Sequence, residues 1–190
     1  MLVSINAIKH LKYVCEIETG EMKFAGEASR KAAVLQICMD NDWCYVMHII
    51  HSGIPPTLQS ILEDATSTKV GVGISNDAAK VMKDYNVHIQ VVADLSGLAN
   101  LKFGGVPRNW SLGALTEMLT CKELEKPKKI RLGNWEADVL SKEQIQYAAT
   151  DAYASWYLFQ VNQMYAVVLK SFPDAADNPV VDENTNDVQS

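Results

Sequence analysis

The sequence predicts an α/β protein, a mixed β-sheet flanked by α-helices. Three observations carry that prediction. Three strand-like stretches follow one another early, with hairpin-like spacing. Helical and strand-like stretches then alternate. A single uninterrupted helical stretch, residues 141–170, closes the ordered part of the chain.

Taken in order, residues 1–12 fit either a short helix or an irregular lead-in. Lys12–Glu18 (KYVCEIE) reads as a strand, with Glu16 and Glu18 two residues apart and hence on one face. A loop, TGEMKFAGEASRK, leads to the apolar strand Ala32–Met39. Asn41–Asp42 makes the turn into a third strand, Trp43–Ile49, completing a meander. After Pro55–Pro56, Leu58, Ile61 and Leu62 share a helical stripe. Lys69–Ile74 (KVGVGI) is a short apolar strand, Asn76–Asn86 a helix and Ile89–Leu95 a further strand. Ser96–Phe103 is a helix ended by Gly104–Gly105, and Ser111–Leu119 another, capped by Ser111. A loop dense in base follows, with Lys122, Lys126, Lys128, Lys129 and Arg131.

The last helix is the organising element. Ser141 and Gln144 form a capping box, and neither Gly nor Pro intervenes before Pro173. One stripe holds Ile145, Ala149, Ala152, Trp156 and Phe159; the opposite one holds Tyr147, Asp151, Ala154, Leu158, Val161 and Tyr165. A helix apolar on both sides is expected to be buried. On it, Tyr147 and Asp151 stand at i and i+4, as neighbours on one face.

The chain has 190 residues, enough for one domain with a real core. With 48% hydrophobic and 21% charged residues it reads as soluble and globular. No apolar run is long enough for a bilayer, and MLVSINAIKH lacks the layout of a secretory signal. The four cysteines, Cys15, Cys38, Cys44 and Cys121, show no CxxC spacing and read as thiols of a reducing, intracellular compartment. The net charge of −6 is concentrated at the end. Residues 173–190 carry five acids and no Lys or Arg, and taking those five away leaves residues 1–172 at −1. We expect one folded domain over 1–172 and a disordered acidic tail over 173–190. Near neutrality does not exclude nucleic acid, but any basic footprint must be local.

Acids occupy three structurally marked places: Glu16 and Glu18 on a strand, Asp77 just after KVGVGI, and Asp151 on the last helix. Ligand sites in open α/β sheets gather at the carboxyl ends of strands. Carboxylates without a fixed basic partner suit hard divalent cations, Mg²⁺ or Mn²⁺, and hence phosphoryl chemistry. Each acid also has an ordinary reading. Glu16 and Glu18 fit the solvent face of an edge strand, Asp77 a helix cap, and Asp151 a salt-bridged structural residue. Cys44, His48 and His51 (C-x₃-H-x₂-H) lack a fourth zinc ligand and read as structural. GVGISND lacks the third Gly of a dinucleotide fingerprint. Trp110 and Trp135 offer base stacking but read as core residues.

The order E-x-E, then D after a Gly-rich strand, then Y-x-x-x-D on a late helix resembles the DEDD-type 3′–5′ exonucleases, in their Tyr-x-x-x-Asp subclass. RKAAVLQIC, CYVMHIIHSGIP, KVGVGISND, NWSLGALTEML, IRLGNWE and QYAATDAYASW are similar to the Werner-syndrome-like exonucleases related to ribonuclease D, particularly the plant ones. The resemblance runs from about Glu16 to about Leu169. It implies a ribonuclease-H-like fold, Mg²⁺ or Mn²⁺ as two ions, removal of nucleotides from single-stranded or recessed 3′ ends, and a nuclear location. On this resemblance Glu16, Glu18 and Asp151 hold one ion and Asp77 helps hold the second, with Glu18, Tyr147 and Asp151 catalytic. Lys128, Lys129 and Arg131 are the expected phosphate contacts. Two positions depart from the family pattern, Glu16 for the usual Asp and Thr19 for the usual Trp. They leave a second reading open: a weakened exonuclease fold that binds nucleic acid or a protein partner.

Overall fold

The computed structural model describes residues 12–18, 30–39 and 43–171, with the backbone alone for 12–18 and 162–171. Among the described residues five strands form one sheet in the order β3-β2-β1-β4-β5. They are β1 (Lys12–Glu18), β2 (Val34–Cys38), β3 (Cys44–Met47), β4 (Thr68–Gly71) and β5 (Val92–Asp94). The first three pair antiparallel as the expected meander, whereas β4 runs parallel to both β1 and β5. Seven helices accompany them among the described residues: α1 (Ile49–Ser52), α2 (Pro56–Glu63), α3 (Ile74–Tyr85), α4 (Leu95–Phe103), α5 (Leu112–Thr120), α6 (Lys128–Arg131) and α7 (Lys142–Ser171). The mixed, helix-flanked sheet is as the sequence predicts.

The two faces of the sheet are distinct. On one, Leu35 and Ile37 of β2 pack with Leu58 and Leu62 of α2 and Ile74 and Val81 of α3. On the other, Cys38 and Val70 pack with α4, α5 and the α7 residues Ala152, Leu158 and Phe159. Val34 joins this second face through Trp135, Tyr147 and Ala148. β2 thus alternates faces residue by residue yet is buried throughout.

Several boundaries differ from the sequence reading, each for a local reason. Strand β2 begins two residues later than expected. The Ala32 amide donates to Asp84 Oδ2 at 2.7 Å and its carbonyl accepts from Tyr85 Oη at 2.6 Å, so that backbone is bound to α3 instead of a strand. KVGVGI yields only its first residues to β4, because Gly73 turns the chain at φ 72° and α3 starts at Ile74. Left-handed backbone of this kind favours glycine. The strand expected over Ile89–Leu95 contracts to three residues, since Val91 sits at φ 52° and interrupts extended backbone. Trp43–Ile49 contracts because α1 begins at Ile49. The basic loop contains one helical turn, α6, entered through Pro127.

Helix α7 starts as its capping box predicts. The Ser141 amide donates to Gln144 Oε1 at 3.0 Å and the Gln144 amide to Ser141 Oγ at 3.2 Å. Burial holds for Ala152 and Phe159 of one stripe and for Tyr147, Asp151, Ala154 and Leu158 of the other, but not for Ile145, which is 46% exposed; Tyr153 and Tyr157, outside both stripes, are exposed as well. The helix lies over the sheet along one broad face, and only side chains on that face lose their water. The expected tail, residues 173–190, lies outside the described residues.

Candidate active site

Strands β1, β4 and β5 run parallel, so their carboxyl ends share one edge of the sheet. Each of these ends carries acid. In the β1–β2 register Glu16 stands opposite Gln36 and Glu18 opposite Val34. Directly opposed residues share a face, and Val34 lies on the α7 face. The positions of Glu16 and Glu18 therefore belong to that same face, though their side chains lie outside the described residues. Strand β1 is central, not an edge, so the reading of Glu16 and Glu18 as the solvent face of an edge strand does not hold.

Asp77 lies in the first turn of α3, directly beyond β4. It does not cap that helix; the cap position is Gly73. Asp94, at the end of β5, fixes this corner. Its Oδ2 accepts from the Gly73 amide at 2.6 Å, and its Oδ1 from the amides of Ser96 and Gly97 at 2.8 and 3.2 Å. One carboxylate thereby ties the turn after β4 to the start of α4. Burial, and after it the charge of Asp94, push the Asp77 carboxyl up to about 7. An anion held without compensating charge is what a bound cation relieves.

Asp151 is 5% exposed and Tyr147 7% exposed, one turn apart on α7. The Tyr147 ring is tilted against the buried Trp135 indole, with centroids 6.0 Å apart. Trp135 itself is anchored, its Nε1 donating to the Arg131 carbonyl at 3.0 Å. It is a core residue and sets the bed on which Tyr147 rests. His48 Nε2 and His51 Nε2 bond the carbonyls of Trp135 and Ala137 at 2.8 and 3.1 Å. Both rings are spent on holding that segment, in line with the structural reading of C-x₃-H-x₂-H. Trp110 Nε1 donates to Asn100 Oδ1 at 2.9 Å. Among the described residues Cys38, Cys44 and Cys121 form no disulfide.

One participant escaped the sequence reading. Lys126 Nζ donates to Asp151 Oδ2 at 2.7 Å and lies 5.9 Å from the centroid of the Tyr147 ring. The ordinary reading of Asp151 as salt-bridged is thus observed, and its partner comes from the basic loop. Only the count of bases in that loop hinted at it. Lys128, Lys129 and Arg131 form the exposed turn α6 nearby. Behind Tyr147 a cavity of about 420 Å³ is lined by Leu124, Pro127, Ile130, Gln146, Thr150 and three glutamates.

The residues suit a divalent ion chemically. Asp151 and Asp77 offer hard oxygen ligands, and an ammonium already stands where positive charge is needed. Among the described residues no three acids, cysteines or histidines form a cage by themselves.

A mixed sheet with acids at its carboxyl edge and a Tyr-x-x-x-Asp helix across it is the arrangement of the ribonuclease-H-like fold. The family model described as 3′–5′ exonuclease matches residues 8–162, and the chain belongs to that family. It is 57% identical over 145 residues to the 3′–5′ exonuclease of Arabidopsis thaliana, covering 76% of this chain and 48% of that protein. It is 38% identical over 136 residues to the bifunctional 3′–5′ exonuclease/ATP-dependent helicase WRN of Mus musculus, covering 71% of this chain and 10% of that one. The chain thus spans about half the length of the plant relative and a tenth of the mouse one. Among solved structures it superposes on Brucella melitensis NrnC with a TM-score of 0.70 at 21% identity, covering 92% of this chain and 82% of that chain. For Escherichia coli RNase D the values are 0.67 and 20%, covering 90% and 44%. These two likenesses establish the fold. Metal dependence is general for the family, and NrnC has been solved with bound Mg²⁺ and bound to pGG.

Proposed function

We propose that this chain removes nucleotides from the 3′ ends of nucleic acid, single-stranded or recessed, by metal-dependent hydrolysis. One observation carries the reading. The buried carboxylate of Asp151 lies on the helix that crosses the face to which positions 16 and 18 belong, at the edge where Asp77 stands in the first turn of α3, just beyond β4. Glu16, Glu18 and Asp151 would hold one ion and Asp77 would help hold a second. Two bound ions supply an activated water and stabilise the leaving 3′ oxygen. Tyr147, held by Trp135, hydrogen-bonds the attacking water and fixes its line of approach. Lys128, Lys129 and Arg131 bind phosphates along the strand.

The test is a 3′-end-resolved oligonucleotide assay with Mg²⁺ or Mn²⁺, with and without chelator. A chelator-sensitive ladder shortening from the 3′ end is expected. Asp151→Asn keeps size and hydrogen-bonding capacity but loses the charge. It should abolish cleavage while leaving the circular-dichroism spectrum unchanged, and unchanged turnover would refute the ligand role. The ion pair between Lys126 and Asp151 favours a second reading, a binding module whose carboxylate is already satisfied. Tight oligonucleotide binding without shortening in either metal would establish it.

A further inference from the structure

Gln36 is wholly buried in the middle of β2. Its neighbours Leu35 and Ile37 belong to the cluster beneath α2 and α3, whereas Val34 and Cys38 belong to the clusters on the α7 side. Alternation along a strand places Gln36 on the α7 face. Both of its amide atoms, Oε1 and Nε2, are buried, and neither has a hydrogen-bond partner among the described residues. An orphaned amide is costly in a core, and an apolar side chain of the same volume would fill the place without that cost. Gln36 is also the residue directly opposite Glu16 in the antiparallel register. Opposed residues of such a pair have Cβ atoms about 4.5–5.5 Å apart, within the reach of a glutamine and a glutamate.

We propose that Gln36 is a positioning residue of the metal site, its Nε2 donating to the Glu16 carboxylate when the site carries its ion. The inference rests on the metal-site reading above. It also gives the longer Glu16 a rationale. A glutamate has one more rotatable bond than an aspartate, and a fixed donor across the strand pair removes that freedom. Partners that orient first ligands in this way are worth roughly ten- to hundredfold in metal affinity.

The test uses the full chain. In the ¹⁵N-labelled wild type, the Gln36 side-chain NH₂ signals should shift on Mg²⁺ titration with the midpoint that calorimetry gives for ion binding. Gln36→Met, similar in volume but without the amide, should bind Mn²⁺ about tenfold more weakly while the metal-free variant melts higher than the wild type. In a Glu16→Ala background the same substitution should have no further effect on Mn²⁺ affinity. Gln36 signals that stay still while Mg²⁺ binds would overturn the proposal. So would an affinity loss that persists undiminished in the Glu16→Ala background, or a lower melting point with unchanged affinity. Failure of Mg²⁺ to bind at all would overturn the metal-site reading itself and the proposal with it.

Discussion

At the scale of single residues the site is a contest over charge. Asp151 is buried and holds an ammonium, Lys126 Nζ, at 2.7 Å. A carboxylate taken out of water needs such a partner, and a divalent ion on Asp151 must share or displace it. Lys126→Met removes the competitor. We expect Mn²⁺ to bind roughly fivefold more tightly to that variant by calorimetry, and the metal-free protein to melt lower because the Asp151 charge is left unpaired. Equal affinity would mean that the lysine and the ion occupy different sides of the carboxylate. Glu16 raises the opposite problem, one of reach. The added methylene extends the side chain by about 1.5 Å relative to Asp. Mg²⁺ demands near-ideal octahedral geometry, and a displacement of about 1 Å can cost on the order of a hundredfold in rate. Glu16→Asp should raise Mg²⁺-supported cleavage clearly, and the wild type should be faster in Mn²⁺ than in Mg²⁺. A wild type already fast in Mg²⁺, with no gain from the substitution, would show a site fitted to glutamate.

At the scale of elements, what could be read from the sequence was what local chemistry decides. The capping box of α7 and the Ser111 cap of α5 emerged with the expected starts, because each is set by side chains within three residues of it. What could not be read depends on residues distant in the chain. Val91 leaves extended backbone while its carbonyl is held by the Lys69 amide at 2.9 Å. Ala32 leaves the strand because Asp84 and Tyr85 claim its backbone from 52 and 53 residues away. Lys126 reaches Asp151 across 25 residues, and no spacing rule announces such a meeting. The exposed side of α7 is not legible for the same reason, since periodicity alone does not say how much of the helix the sheet will cover. The turn α6 presents Lys128, Lys129 and Arg131 to solvent beside the site. Phosphate contacts carry little sequence information. Lys128→Glu combined with Lys129→Glu should therefore weaken binding of oligonucleotides of any sequence and flatten the dependence of affinity on salt. Affinity and salt slope that both stay as they were would mark α6 as ordinary solvated surface.

At the scale of the whole molecule, the carboxyl edge of the sheet trades stability for a site. Asp77 is the clearest case, because its carboxyl is pushed up to about 7 by burial and by Asp94, and Asp94 in turn is needed to hold Gly73 and α4. In the unfolded chain the same carboxyl titrates near 3.8. Between those two values the native state holds a proton that the unfolded state has released, so stability falls as pH rises. The contribution is intact below about pH 4 and is lost as pH passes through about 7. Asp77→Asn removes the titration and keeps the shape. We expect the metal-free variant to exceed the wild type by about 1–2 kcal/mol at pH 8, a rise in melting temperature of roughly 2–8 °C for a chain of this size. The two should melt together at pH 4. If Asp77 receives an ion, Mg²⁺ should reverse the ranking at pH 8, because a ligand stabilises only the form that binds it and only the wild type keeps that charge. Melting curves of both proteins at the two pH values, with and without Mg²⁺, decide the matter. Coincident curves at pH 8 without metal would mean that water reaches Asp77 freely and that this corner of the sheet carries no stored charge for an ion to relieve.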